Sequence, residues 1–307
     1  MARIFVTRTL PFEALDRLAA RHELDVWPGE LPPSREELRE HLADADALLS
    51  LVTDAVDAEL LDAAPGLRAI ANLAVGTDNI DLEAAAARGI PVGNTPDVLT
   101  DATADLALAL LLSLARRIPE GSAMVRDGAW RTWEPAAGLG ADLAGATLGI
   151  VGWGRIGQAV ARRAAGFELE VVHSSRSSGV PLGELLDRSD FVSLHCPLTP
   201  ETRHLIGEET LARMRDTAYL VNTARGGVVD QVALRAALLE GRIAGAALDV
   251  TDPEPLPADD PLLEAPNLIV VPHVGSATVR TRERMAEMAV ENLLAALAGE
   301  PMPYAVG

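Results

Sequence analysis

The 307 residues carry 45 acidic against 26 basic side chains, a net charge of −19. Nucleic acid and anionic membrane both need a basic face, so neither is an expected partner. All 26 basic residues are arginine, which excludes a lysine Schiff base and leaves arginine or backbone N–H groups to meet any anionic ligand.

Length makes two domains the default. Aromatics are only 3% of the chain, so Ala, Leu and Val must fill the cores. The single cysteine, Cys196, excludes an intrachain disulfide and a multi-cysteine zinc site, and no metal site is expected. Met1–Val6 runs straight into a strand-like segment, so no signal peptide is expected. The longest apolar stretch, residues 106–115, is too short to span a bilayer and ends in Arg116-Arg117. A cytoplasmic protein is the expectation.

In chain order, residues 3–7 read as a buried strand, 11–21 as a helix with Pro11 near its start, and 24–26 as a short strand. Ser34 and Glu37 form a capping box that opens a helix running to Leu42. Strand 47–51, helix 57–63 and strand 69–73 follow. Helix 82–88, closed by Gly89, leads to strand 90–92. This alternation implies a parallel sheet covered on both faces. Residues 100–126 read as one long helix with an interruption near Pro119, followed by a loop carrying Trp130, Trp133 and Pro135. A second alternating block comprises strand 147–151, helix 156–166, strands 169–173, 191–194 and 218–222, helix 231–240, and strands 245–249 and 268–271. A helix over 278–297 closes it. The fold class expected is α/β, with two doubly wound parallel-sheet (Rossmann-like) domains and a cleft between them where a ligand sits.

The run Leu148–Gly157 feeds a strand into Gly152-Trp153-Gly154-Arg155-Ile156-Gly157. Gly152 permits the backbone reversal, Gly154 lets the chain approach a pyrophosphate, and Gly157 lets the helix pack on the strand. The N–H groups of the following helix meet the phosphates, with Arg155 as a nearby cation. A carboxylate about 20 residues on would hold the ribose 2′-hydroxyl of NAD. Here that place holds Ser174-Ser175-Arg176, which would accept a 2′-phosphate that a carboxylate repels. NADPH is therefore expected over NADH; the alternative is an exposed loop arginine that touches nothing.

Asn222-Thr223-Ala224-Arg225-Gly226, Asp249–Pro255 and Pro272-His273-Val274-Gly275-Ser276, in that order and spacing, resemble the D-2-hydroxyacid dehydrogenase family over nearly the whole chain. Ala74–Asp81 and Asn94–Asp105 place the nearest resemblance with its glyoxylate/hydroxypyruvate reductases. The resemblance implies catalytic roles for Arg225, Glu254 and His273. A guanidinium can grip the carboxylate of a 2-oxo acid and polarise its ketone, and a histidine oriented by a carboxylate can donate the proton.

The resemblance further implies substrate contacts from Leu51, Val52, Val75, Gly76, Arg225, His273 and Ser276. Cofactor contacts are implied from Thr103, Gly152, Gly154, Arg155, Ile156, Gly157, Ser174, Ser175, Arg176, Cys196, Pro197, Thr202, Thr223, Ala224, Asp249 and Gly275. Cys196 also reads as a small apolar packing residue, and Thr103 as a helix cap. His22, His41, His173 and His204 read as structural. A discontinuous division follows, with residues 1–96 plus 277–307 for substrate and 97–276 for the dinucleotide. A homodimer is implied, with Trp133 reaching the partner's site; packing within one chain is the alternative. Rival functions are another D-2-hydroxyacid dehydrogenase, for phosphoglycerate or a bulkier 2-oxo acid, and a dinucleotide-sensing binding protein. The phosphoglycerate type carries a long regulatory extension not expected here.

Overall fold

The computed structural model describes residues 1–10 and 13–306; the expected helix start at Pro11 lies outside them. The chain divides into two compact units, residues 1–99 with 277–307, and residues 100–276.

The first unit is a five-stranded sheet. Its strands are β1 (Arg3–Val6), β2 (Glu23–Val26), β3 (Ala47–Ser50), β4 (Ala69–Asn72) and β5 (Val92–Gly93), in the order β2-β1-β3-β4-β5, and every pair is parallel. Alternation along the strands divides the core in two. Phe5, Leu48 and Ile70 face the helices α2 (Arg35–Leu42), α3 (Ala58–Asp62) and α4 (Leu82–Ala87). Ile4, Val6, Leu49 and Ala71 face α1 (Ala14–Ala19) and the closing helix, residues 279–297. The Ser34–Glu37 capping box is formed: Glu37 N–H donates to Ser34 Oγ at 3.3 Å, and Ser34 N–H donates to Glu37 Oε2 at 2.7 Å. Strand β5 begins at Val92, two residues later than expected, because Pro91 has no N–H to give a ladder.

Residues 97–99, expected with the second domain, fall in the first unit, where Val98 and Leu99 pack against its core.

The second unit opens with α5 (Thr100–Ala115) and α6 (Ile118–Arg126), two helices separated at the interruption expected near Pro119. The break lies at Arg117, whose φ of 51° is left-handed, and Pro119 occupies the first turn of α6, where its missing N–H costs nothing. A six-stranded sheet follows: β6 (Thr147–Val151), β7 (Glu170–Ser174), β8 (Phe191–Leu194), β9 (Tyr219–Asn222), β10 (Gly245–Leu248) and β11 (Leu268–Val270). Its order is β11-β10-β9-β8-β6-β7, all parallel.

One face of this sheet packs Leu148, Ile150, Phe191 and Val221 against α5 and α7 (Arg155–Ala164). The other packs Val192, Leu194, Leu220 and Leu248 against α8 (Leu182–Arg188), α9 (Glu208–Leu211) and α10 (Gln231–Leu239). Helices α8 and α9 are additions to the expected elements; at seven and four residues they are too short to show a helical period. Chain order reverses between β6 and β8, and the carboxyl ends of strands flanking such a switch point are where open α/β sheets bind ligands. The closing helix of the first unit, α11 (Val279–Leu297), is the longest. Among the described residues no helix is long and apolar enough to cross a membrane.

Candidate active site

The glycine loop leaves the carboxyl end of β6. Gly152 has φ +97°, and a Cβ there would lie 2.6 Å from Cys196 N; both conformation and space demand glycine. Its N–H donates to Ser174 O at 2.8 Å, tying the loop to the end of β7. A Cβ on Gly157 would lie 2.2 Å from Gly152 O, whereas one on Gly154 would meet nothing within 4 Å. The loop is therefore packed tightly from behind and open in front. Arg155 and Ile156 open α7, a ten-residue helix with no acidic side chain in its first turn. A tight glycine turn, open space and a helix N-terminus without a carboxylate together fit a dinucleotide pyrophosphate.

At the end of β7, Ser174 is half-buried and Arg176 exposed. The Ser175 hydroxyl is engaged inside its own turn: it lies 2.9 Å from Ser178 Oγ and accepts Ser178 N–H at 3.1 Å. No carboxylate occupies 174–179. Trp153, between the first two glycines, stacks on His173 with ring centroids 3.9 Å apart and planes 17° off parallel. His173 thus braces the loop, a pairing that sequence periodicity does not reveal.

After β8, His195 Nε2 lies 2.8 Å from Ser193 Oγ, and its Nδ1 lies 3.4 Å from Thr223 Oγ1. Burial lowers its pKa to about 4, so the ring is neutral at neutral pH. Burial likewise pushes the Cys196 thiol up to about 11, which keeps it protonated and unreactive. Pro197 is exposed. Its carbonyl accepts Thr202 Oγ1 at 2.6 Å, and that same hydroxyl accepts Thr199 N–H at 2.7 Å; Thr202 closes this loop from within.

Arg225, Glu254 and His273 leave the carboxyl ends of β9, β10 and β11, three neighbouring strands. Asn222 clasps the first of these turns: Ala224 N–H donates to its Oδ1 at 3.0 Å, and its Nδ2 donates to Arg225 O at 2.9 Å. Arg225 is half-buried and extended, with φ −145° and ψ 145°. Thr223 and Ala224 are buried. His273 Nδ1 lies 2.5 Å from Glu254 Oε1, and among the described residues nothing hydrogen-bonds to its Nε2.

Asp249, 1% exposed, holds the backbone that carries this histidine. Its carboxylate accepts the N–H groups of Val274 at 2.6 Å and Gly275 at 2.9 Å, and its carbonyl accepts His273 N–H at 2.9 Å. Burial raises the Asp249 pKa, and the two N–H groups pull it back. Thr103 Oγ1 donates to Gly275 O at 3.2 Å, and Ser276 is buried. Apart from Thr103 on α5, the second-unit site residues singled out from the sequence lie at the carboxyl edge of this sheet, in its loops, at the last residue of β7 or in the first turn of α7.

In the first unit, the carboxyl edge of the sheet carries Leu51 and Val52 after β3 and Val75 and Gly76 after β4. Asn79 Nδ2 donates to the carbonyls of Leu51 and Asp54, both at 3.0 Å, and its Oδ1 accepts Asn72 Nδ2 at 2.9 Å. The two loops are thus fixed to each other.

Residues 108–275 match the model of the D-isomer specific 2-hydroxyacid dehydrogenase NAD-binding domain. A glyoxylate reductase of Korarchaeum cryptofilum is 54% identical over 99% of this chain and 95% of its own. The chain belongs to the D-isomer specific 2-hydroxyacid dehydrogenase family. It is an NAD(P)-dependent enzyme of that family, and the glycine loop belongs to its NAD(P)-binding domain. A crystal structure of a Thermus thermophilus protein superposes with a TM-score of 0.95 at 54% identity, covering 99% of this chain and all of that one. An NADPH-dependent glyoxylate/hydroxypyruvate reductase of Sinorhizobium meliloti, solved with NADP and malonate, gives 0.85 at 32% identity over all of this chain and 97% of its own.

Within this dehydrogenase, Asn222 and Ser193 are side chains near the carboxyl edge that the sequence did not single out, and His173, expected as structural, braces the glycine loop. Asn222 stands in a motif that drew attention to its arginine, and the other two act through contacts made only in the folded chain. Of the remaining histidines, His41 packs on Phe5 at 4.6 Å and pairs with Asp25 at 2.7 Å, which suits the structural role expected.

Proposed function

We propose that this dehydrogenase reduces small 2-oxo acids, glyoxylate and hydroxypyruvate first, to the 2-hydroxy acids, with NADPH as reductant. The observation that carries the reading is the 2.5 Å contact between His273 Nδ1 and Glu254 Oε1. With Nδ1 committed to a carboxylate, Nε2 is the nitrogen left to donate a proton. Arg225 grips the substrate carboxylate and polarises the ketone as negative charge grows on its oxygen. Val75 and Gly76 are carried over as N–H donors to the substrate carboxylate. The bound nicotinamide supplies the hydride, and His273 delivers the proton to the ketone oxygen. The chain around Leu51, Val52, Val75 and Gly76 adds no lysine or arginine, which favours a small monocarboxylate over a phosphorylated acid.

NADPH preference is supported by Arg176 and by the missing carboxylate at 174–179; the name of the Sinorhizobium relative points the same way. The test is NADPH oxidation against glyoxylate, hydroxypyruvate, pyruvate and a branched 2-oxo acid, repeated with NADH. Turnover confined to the branched acid, or a higher kcat/KM with NADH, would overturn the corresponding half of the reading.

A homodimer belongs to the same proposal. The segment from α6 to Leu139 exposes Ile118, Met124, Val125, Trp130, Trp133 and Leu139, large apolar side chains that a second copy would cover, and Trp133 is carried over as the residue that reaches the partner's site. Sedimentation velocity and substrate KM of Trp133→Ala test it; no change in either removes the role of Trp133.

A further inference from the structure

The carbonyls of Ala74, Val75 and Gly76 are each bound by a different donor. Thr95 N–H donates to Ala74 O at 2.8 Å, Asn94 Nδ2 to Val75 O at 2.8 Å, and Asn72 Nδ2 to Gly76 O at 2.9 Å. These peptides are trans, so each carbonyl and the N–H that follows it point in opposite directions. Pinning the three carbonyls therefore aims the N–H groups of Val75, Gly76 and Thr77 away from those donors. None of the three donates a hydrogen bond among the described residues.

Asn94 is in turn held by the C-terminal tail. Its N–H donates to Tyr304 O at 3.0 Å, and its carbonyl accepts Asn292 Nδ2 at 3.1 Å. Asn292, on α11 and fully buried, accepts Tyr304 N–H on its Oδ1 at 3.0 Å. Val306 N–H donates to Val92 O at 2.8 Å, and Gly93 pairs antiparallel with Ala305, so the tail lies along the edge of β5 as an added strand. Two anchors keep it there. Met302 is buried, and the Tyr304 hydroxyl donates to Glu291 at 3.1 Å while accepting from Arg284 at 2.9 Å.

We propose that Asn94 is a positioning residue for the substrate carboxylate, and that the tail, Met302–Val306, is the buttress that keeps it in place. The tail fixes Asn94, Asn94 fixes the Val75 carbonyl, and that carbonyl sets the aim of the Gly76 N–H. The inference rests on the reading that this loop takes the carboxylate. It goes beyond that reading by giving the last residues of the chain a part in substrate binding without touching the substrate.

The experiment compares wild type, Asn94→Ala, Asn94→Asp and a chain ending at Met302. Four quantities are measured: KM for glyoxylate, kcat, the Kd of oxamate as a carboxylate probe that is not reduced, and the Kd of NADPH. Hydrogen–deuterium exchange of the Ile80 and Thr95 N–H groups, which donate to the loop carbonyls of Thr77 and Ala74, is followed in the free protein. Losing one such hydrogen bond corresponds to about a ten-fold change. Glyoxylate KM and oxamate Kd are expected to rise together by that factor in both point variants, with kcat and NADPH Kd unchanged and exchange of the Ile80 and Thr95 N–H groups accelerated. The shortened chain is expected to reproduce the pattern; if it does not fold, the point variants decide alone.

Unchanged KM and oxamate Kd in a folded Asn94→Ala overturns the proposal, as does an equal weakening of NADPH. Should the wild type reduce no 2-oxo acid, the functional reading fails separately. Exchange still judges the structural coupling in that case, and unaltered exchange in Asn94→Ala overturns it.

Discussion

Asp249 and Gly275 are joined by a bond of 2.9 Å from a buried carboxylate oxygen to a backbone N–H, and the neighbouring oxygen takes Val274 N–H at 2.6 Å. Both oxygens thus act as acceptors on the two residues after His273. Asn in place of Asp249 would turn an NH2 toward one of these N–H groups, leaving a buried donor facing a donor. That costs about 1–3 kcal/mol of local stability. Asp249→Asn is expected to lower kcat by roughly ten-fold or more through displacement of His273, with a lowered Tm. Kinetics and thermal melting check it; wild-type kcat in this variant would remove Asp249 from the support of the histidine.

The Glu254–His273 pair separates proton transfer from cofactor binding. His273→Ala removes the proposed proton donor and is expected to cut kcat by about a hundred-fold or more, the usual worth of a positioned general acid. NADPH Kd, read by fluorescence titration, should stay within about two-fold, because the dinucleotide is held elsewhere on the edge. Glu254→Gln keeps a hydrogen bond to Nδ1 and so still orients the ring, and it is expected to lower kcat by less than His273→Ala does. Equal losses in kcat and in NADPH affinity for His273→Ala would mean that the histidine serves the fold.

Much of this architecture is legible in the sequence because parallel strands buried on both faces read as short apolar runs. Leu48-Leu49, Ile70-Ala71, Leu148 to Val151 and Phe191 to Leu194 all stand out as such runs. Ser34 and Glu37, and the glycines from 152 to 157, are equally visible, since capping and tight turns demand particular residues at fixed offsets. The break at Arg117 was less visible: an arginine in a left-handed conformation carries no compositional mark, and only Pro119 hinted at it. Helices α8 and α9 escaped because one or two turns cannot establish a period.

The candidate site divides in the same way. Arg225, Glu254 and His273 stand in motifs whose order and spacing can be read. Asn72, Asn79, Asn94 and Asn222 cannot be found like this, since each binds a carbonyl whose position depends on the packed loops around it. The Ser175–Ser178 turn makes a similar point. By sequence the Ser175 hydroxyl is expected to meet the cofactor, but in the folded chain it lies against Ser178 Oγ.

Arg176 provides a test of cofactor choice that leaves catalysis alone. It is exposed at the end of β7, where a guanidinium can pair with a 2′-phosphate by charge-assisted hydrogen bonds worth about 1.5–3 kcal/mol. Arg176→Ala is expected to raise the KM for NADPH by about ten-fold or more and to leave the KM for NADH nearly unchanged. Arg176→Asp should go further and reverse the preference, since a carboxylate there repels the phosphate and can hold a 2′-hydroxyl. The effect on NADPH should weaken with added salt, as expected for an exposed ion pair. A parallel rise in both KM values would show that the arginine does not read the phosphate.

His195 ties stability to pH with a definite sign. Burial lowers its pKa to about 4 in the folded chain, against about 6.5 when unfolded. Between those values the unfolded chain binds a proton that the folded chain refuses, so folding stability falls as pH drops through this window and is fully present above it. The size of the loss is about 3 kcal/mol across the window. His195→Gln retains a side-chain hydrogen-bonding group toward Ser193, at 2.8 Å from the imidazole in the native chain, and removes the titration. It is expected to be less stable than wild type at pH 7.5, where the native imidazole packs best, yet to lose less stability between pH 7 and pH 5. Urea unfolding at three pH values measures both trends, and parallel pH dependences for the two chains would show that His195 is not the group responsible.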